Sequence, residues 1–345
     1  MREHITKKDL GKKETYQKWN GKFLDDNSFD EVVTVKDEDV KIYKPSKTVD
    51  GGYVPLAVVV TNVYPDDSIK EMLKSISDVS VMRANCSGPV VKEEMEAKGL
   101  KEGVDYKLRT PNSYYVKTKS GEWGKIAQSN EINSVMIGYK RGRFTGKIDS
   151  SGWCKDNPKK WERFKEISKW NEVAFEKGIP EIYERQKKWI ETFVRPEHRV
   201  GMFTTFSANR YHIGQSKAMS AHVDSGDLDA GLTTMNCFRD GDYDGAYLCF
   251  PRYGVAIDAP DNSVIIADSN EVHGVTSIKG NGTRYTTTAY CDNRLATMGA
   301  AGKSERLIGK SASKEVGSLE EFLKWVIGSL WVEGHKRLLH IHNKS

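Results

Sequence analysis

The chain has 345 residues, 38% of them hydrophobic and 29% charged, which suits a soluble globular protein with a sizeable core. No apolar run nears the roughly 18 residues of a membrane-spanning helix, and the charged start "MREHITKKDLGKKETYQKW" lacks the apolar stretch of a secretory signal. The five cysteines (Cys86, Cys154, Cys237, Cys249, Cys291) are odd in number and form no C-x-x-C, which argues against a disulfide framework or a cysteine zinc site and for a reducing, intracellular compartment.

Residues 1–50 are rich in Lys, Asp and Glu and read as a peripheral, partly ordered arm. "YVPLAVVVTNVYP" (53–65) predicts a buried strand, and "DDSIKEMLKSISD" (66–78) a helix capped by aspartate. The stretch 104–148 predicts short strands and exposed loops. Between Lys107 and Lys147 it carries nine Lys or Arg against two Glu, a local balance of +7 within a net charge of +5. From Asn157 to Val194 the apolar period is helical, with Trp161, Phe164, Ile167 and Trp170 spaced by three; Gly178 and Pro180 split it into two helices.

The character changes near Arg199. "RVGMFTTF", "GLTTMNCF", "GAYLCF", "SVIIAD", "EVHGVTSI" and "TRYTTTAYC" are short β-rich runs separated by Gly, Asp, Asn and Pro. Such spacing predicts a barrel or sandwich, not a βαβ sheet. "SLEEFLKWVIGSLWVEGHKRLLHI" (318–341), within a C-terminal extension 296–345, predicts an amphipathic helix that packs back on the body.

"SAHVDSGDLDAGLTTMNCF" (220–238) places ligand-type side chains just ahead of a predicted strand. His222 and Asp224 are two apart, so in extended chain both face one side and can meet one metal ion. His273 follows Asp224 by 49 residues, in "ADSNEVHGV". Two histidines and one carboxylate form the facial triad that leaves open positions on non-haem Fe(II). Eleven residues later, in "TRYTTTAY", Arg284 and Thr286 share a strand face. A guanidinium fork beside a hydroxyl is a receptor for a carboxylate deep in a barrel.

The order His222-x-Asp224, His273, Arg284-x-Thr286 resembles the 2-oxoglutarate- and Fe(II)-dependent dioxygenases. "TTFSANRYH", "HVDSGD", "YDGAYLCFPRYGVAI" and "VIIADSNEVHGV" resemble its TET/JBP branch, which oxidises the methyl group of 5-methylcytosine or thymine in nucleic acid. The resemblance covers roughly residues 53–295 and is sharpest over 199–292. One departure is Ala246, where the family's G-G-x-L-x-x-P run has its second glycine; the change leaves the strand reading intact.

The resemblance implies a mainly β fold with helices: a double-stranded β-helix (jelly-roll) core at 51–295 with flanking helices. It implies that His222, Asp224 and His273 bind Fe(II), and that Arg284 and Thr286 hold the distal carboxylate of 2-oxoglutarate, with O2 as the second co-substrate. Asn209 and Tyr211 become candidate contacts to co-substrate or base, Lys217 a candidate for the other 2-oxoglutarate carboxylate, and Asp268 a candidate support for His273. Asp227 falls where relatives read the base. A carboxylate there can accept from the exocyclic amine of cytosine or the ring N–H of thymine, so both bases stay open.

A methyl on a paired base cannot reach a metal inside a barrel, so the nucleotide must be flipped or single-stranded. The cations Lys107, Arg109, Lys117, Lys119, Lys125, Lys140, Arg141, Arg143 and Lys147, interleaved with Tyr114, Tyr115, Trp123, Tyr139 and Phe144, are candidate phosphate grips and stacking surfaces for DNA. No obligate protein partner and no membrane are implied. The rival readings are a hydroxylase of free nucleotides, RNA or a protein side chain, and a non-catalytic nucleic-acid-binding barrel.

Overall fold

A computed structural model describes residues 1–46, 52–76, 92–97, 99–110, 113–124, 133–142, 146–212, 219–224, 226–228 and 231–295. The N-terminal part contains β1 (Arg2–Ile5), α1 (Lys12–Trp19), β2 (Glu31–Thr34), β3 (Val40–Pro45) and β4 (Tyr53–Thr61). It continues through α2 (Ser68–Ile76) and α3 (Lys92–Ala97). The Asp66 carboxylate accepts from the Ser68 amide at 2.7 Å at the start of α2, the aspartate cap that the sequence predicts. A small sheet follows, made of β5 (Tyr106–Thr110), β6 (Ser113–Lys117) and β7 (Trp123–Gly124), and then β8 (Asn133–Arg141) and β9 (Ile148–Ser150).

The helices come next: α4 (Gly152–Asp156), α5 (Pro158–Gly178) and α6 (Pro180–Phe193). Proline at the first position of α6 and Gly178 at the end of α5 set the break. Gly178 also lets the helix approach the sheet, because a Cβ there would lie 2.7 Å from Ile266 and 3.2 Å from Val58. Phe164, Ile167, Phe175 and Ile182 pack on Val58, Val60, Phe206, Ala208 and Ile266, covering one face of the large sheet.

The strands that carry the predicted site are β10 (Thr205–His212), β11 (Thr233–Gly245), β12 (Leu248–Phe250), β13 (Val255–Asp258), β14 (Ser263–Ala267), β15 (Gly274–Val275) and β16 (Ile278–Tyr290). The first expected run, "RVGMFTTF", enters the sheet only at Thr205. The nine-stranded sheet has the order β1-β3-β4-β14-β11-β16-β10-β8-β9, and a four-stranded sheet the order β15-β12-β13-β2. His222 joins the smaller sheet's side by an antiparallel bridge to His273, the residue before β15. Along the chain, β10 lies in the large sheet, His222 beside the small one, β11 in the large, β12 and β13 in the small, β14 in the large, β15 in the small and β16 in the large. That alternation is a double-stranded β-helix. Leu56, Val59, Phe250, Val255, Ile257 and Ile265 fill the space between its sheets.

Residues 1–46 are not a peripheral arm. β3 is hydrogen-bonded between β1 and β4, and β2 extends the small sheet beside β13. Burial in "VKIYKP" alternates strictly, with Val40, Ile42 and Lys44 inward. The lysines on that alternation made a buried strand look like solvated surface. Ala246 lies in the link between β11 and β12 with φ +53°, directly after Gly245 at φ +84°. The backbone there is left-handed, the region in which glycine carries no steric cost and alanine does.

Candidate metal centre

His222 and Asp224 lie on the extended segment before β11, and His273 lies just before β15. The two histidines are directly paired: His222 N–H donates to His273 O at 2.8 Å and His273 N–H to His222 O at 2.9 Å. Their rings stand 4.5 Å apart between centroids. Asp224 Oδ1 lies 3.6 Å from His222 Nε2, and Asp224 Oδ2 lies 3.5 Å from His273 Nε2. One donor atom from each of the three side chains falls within 4.8 Å of the others. Two donors about 2.1 Å from one ion are at most about 4.2 Å apart, so both carboxylate–imidazole distances fit a shared ion.

The ring orientations fit as well. His222 Nδ1 is 2.7 Å from Ser220 O, and His273 Nδ1 is 2.9 Å from Glu271 O. A carbonyl can only accept, so Nδ1 of each ring carries a proton and Nε2, on the side of Asp224, is the nitrogen available to a metal. Burial, and then the neighbouring His222, push His273 below the ordinary histidine range despite the pull of Asp224. This favours the neutral form that metal binding requires.

The three side chains line a cavity of about 770 Å³ whose wall also includes Asn209, Tyr211, Asp227, Thr288 and Tyr290. That is the size range of small-molecule sites. Arg284 pairs with Tyr211 and Thr286 with Asn209 across β16 and β10. Directly opposed residues share a sheet face, so Arg284 and Thr286 point to the cavity side. Arg284 is only 2% exposed, yet its Nε and Nη2 have no hydrogen-bond partner, and neither has Thr286 Oγ1. A buried guanidinium with unpaired donors is costly unless an anion completes it. Burial pushes the Tyr211 hydroxyl up to about 12 against the pull of Arg284, which keeps it a neutral donor.

Asp227 is buried in the cavity wall, where Oδ2 accepts from Ser269 Oγ at 2.8 Å and Thr233 Oγ1 at 2.9 Å. Burial, and then the charge of Asp224, push its carboxyl well above the usual range, with those two hydroxyls pulling it down. Asp268 does not support His273. Its carboxylate accepts from Lys44 Nζ at 2.8 Å, and the Glu271 carbonyl holds the His273 ring instead. A contact between residues 224 positions apart leaves no local sequence signal. Thr288 and Tyr290 were also missed, although they continue the period of two from Arg284 and Thr286.

Of the basic stretch, Lys140 is exposed on β8, opposite Asp149 of β9, and Arg141 is half-buried. Four residues earlier the same strand lines the cavity at Met136. On the three-stranded sheet of β5, β6 and β7, Lys107 lies 4.4 Å and Lys117 5.6 Å from the centre of the Trp123 ring, which is 37% exposed. Tyr114 is instead buried against Tyr106 and Met95. Lys217, Arg143, Lys125, Phe144, Cys86 and residues 296–345 lie outside the described residues. The other four cysteines are buried and free. Among the described residues no helix is long and apolar enough to cross a membrane.

No protein-family model matches the chain. A curated relative, the bifunctional helicase and thymine dioxygenase JBP2 of Trypanosoma brucei brucei, is 30% identical over 106 residues, which are 30% of this chain and 9% of that protein. Among solved structures, NgTET1 in complex with 5mC DNA aligns over 77% of this chain and 84% of that one, at 12% identity and a TM-score of 0.44. A Pseudomonas putida prolyl-4-hydroxylase aligns over 68% and 92%, at 13% identity and a TM-score of 0.30. A 2OG-Fe(II) oxygenase-family oxidoreductase from Burkholderia pseudomallei aligns over 28% and 48%, at 17% identity and a TM-score of 0.22. Over those 106 residues the chain is similar to a TET/JBP-type protein, and it spans only about a tenth of that relative's length.

Proposed function

We propose that this chain is an Fe(II)- and 2-oxoglutarate-dependent dioxygenase that oxidises the methyl group of a 5-methylpyrimidine in DNA. The observation that carries the reading is the pairing of two receptors in one barrel. One is the His222–Asp224–His273 cluster, and the other is the buried, incompletely bonded Arg284.

His222, Asp224 and His273 would hold the iron on one side, leaving its other positions toward the cavity. Arg284 and Thr286 would hold the far carboxylate of 2-oxoglutarate, with Tyr211 and Asn209 along its length. When bound, iron with 2-oxoglutarate and O2 supplies the oxidising power, one oxygen atom going to succinate and the other to the substrate methyl. The protein's share is to hold, orient and exclude. Asp227, held in the cavity wall by Ser269 and Thr233, would meet the base, and no general base is required.

The DNA assignment draws on the thymine dioxygenase relative and on the cations of the 107–147 stretch. Lys107, Lys117 and Trp123 combine phosphate attraction with an aromatic face on which a base can stack. The test is succinate release from 2-oxoglutarate with Fe(II) and O2, with and without DNA carrying 5-methylcytosine or thymine. Release stimulated by one of these DNAs supports the reading. Equal stimulation by a free 5-methylpyrimidine nucleoside would move the substrate to small molecules.

A further inference from the structure

The turn that delivers His273, residues 268–272, meets Asp224 and His273 through its backbone, and His273 carries the link on to His222. Ser269 O accepts from Asp224 N–H at 3.1 Å, Glu271 O holds the His273 ring, and His273 itself is bridged to His222. Two side chains of this turn, Asp268 and Glu271, are buried carboxylates, 5% and 3% exposed. Neither points at the cluster as a ligand. Both are gripped by segments distant in sequence.

Lys44, on β3, donates to Asp268 Oδ2 at 2.8 Å and to Glu271 Oε1 at 2.7 Å. Arg252, in the link between β12 and β13, reaches both Glu271 oxygens at 3.0 Å. Its other face forks onto Asp9, at 2.7 and 3.1 Å. Tyr253 adds a hydroxyl to Glu271 Oε1 at 2.9 Å. The Glu271 carboxylate is thus held by two cations and a phenol while its own carbonyl fixes the tautomer and tilt of His273. Burying so many charges is a weak source of stability, since apolar side chains of similar volume do as well or better. Such a network earns its place by fixing geometry, as outer partners of metal ligands do.

We propose that Lys44 and Arg252 are positioning residues of the metal centre: acting through Glu271, they set the turn that presents His273 Nε2 to the ion. This rests on the metal-binding reading above. It gives the N-terminal strands a role in the site, because Lys44 and Asp9 come from the first 46 residues.

The experiment uses the full chain, metal-free, titrated with Co(II) as a visible-absorbing probe, together with ¹⁵N shifts of the His273 ring without metal. In Lys44→Met and Arg252→Gln, the Co(II) dissociation constant is expected to rise by about 10- to 100-fold. The Co(II) ligand-field band should change shape, and His273 should lose its uniform Nδ1–H form. Circular dichroism confirms folding. Should Lys44→Met fail to fold, Arg252→Gln decides, because that side chain is the less buried of the two, 12% against 4% exposed. Folded variants with wild-type Co(II) affinity, band shape and ring shifts would overturn the proposal. A wild-type protein that binds no Co(II) would instead overturn the metal centre, while the ring shifts would still show whether Lys44 and Arg252 govern His273.

Discussion

His222 and His273 exchange both of their backbone hydrogen bonds, at 2.8 and 2.9 Å, although 50 residues separate them in sequence. This reciprocal pair locks two strands in register with the rings on the same side, and Asp224 then needs only the period of two to complete the cluster. A one-residue slip would turn one ring to the opposite face.

The cluster predicts a specific loss. In His222→Ala or Asp224→Ala the barrel should persist, because neither side chain belongs to the apolar core, while divalent-metal binding falls sharply. Metal-induced stabilisation, read as a rise in Tm with added Co(II), should vanish in both variants. A wild-type Tm rise in both would remove these residues from the site.

Arg284→Lys keeps the charge but not the fork. With roughly 1.5–3 kcal/mol at stake for a charged hydrogen bond, 2-oxoglutarate affinity should fall at least about tenfold. Binding is measured directly by calorimetry on the metal-loaded, oxygen-free protein. An unchanged dissociation constant would place the carboxylate elsewhere.

Much of the site was legible because its chemistry follows the strand period. His222 with Asp224, and Arg284 with Thr286, are adjacent-but-one residues in extended chain. The helix pair was equally plain, from its three-residue spacing and from Gly178 with Pro180. What escaped notice was made by long-range contact. Lys44 reads as a surface lysine until β3 is seen between β1 and β4, and Asp268 reads as support for His273 until Lys44 is found on it. Short N-terminal strands with charged outward faces show too little apolar pattern to announce themselves.

Ala246 holds a left-handed backbone that glycine adopts freely. Ala246→Gly should therefore stabilise the fold by about 0.5–1 kcal/mol, net of the extra chain entropy glycine brings to the unfolded state. Thermal unfolding checks this. A lowered Tm would mean that packing of the Ala246 methyl outweighs the backbone cost.

Glu172, on α5, accepts from the Met202 amide at 3.1 Å, and burial pushes its carboxyl above the ordinary value despite that bond. A raised acid contributes stability below its unfolded pKa near 4.5, and loses it as pH rises through the folded value. Glu172→Gln, which keeps the acceptor, should raise Tm at pH 8, with the gain fading toward pH 4. A pH-independent difference would remove titration as the cause.

If Lys140 and Arg141 meet phosphates, reversing both charges should flatten the log–log salt dependence of duplex binding by up to about two units, at about 0.9 per phosphate. An unchanged slope would put the DNA on another face.

Methyl oxidation is read by mass spectrometry of nucleosides from DNA incubated with the protein, Fe(II), 2-oxoglutarate and O2. 5-Methylcytosine or thymine should gain one oxygen atom on its methyl group, only when all three additions are present and not with Asp224→Ala. Unmodified nucleosides from both DNAs, with a folded protein that binds metal and 2-oxoglutarate, would contradict the proposed oxidation.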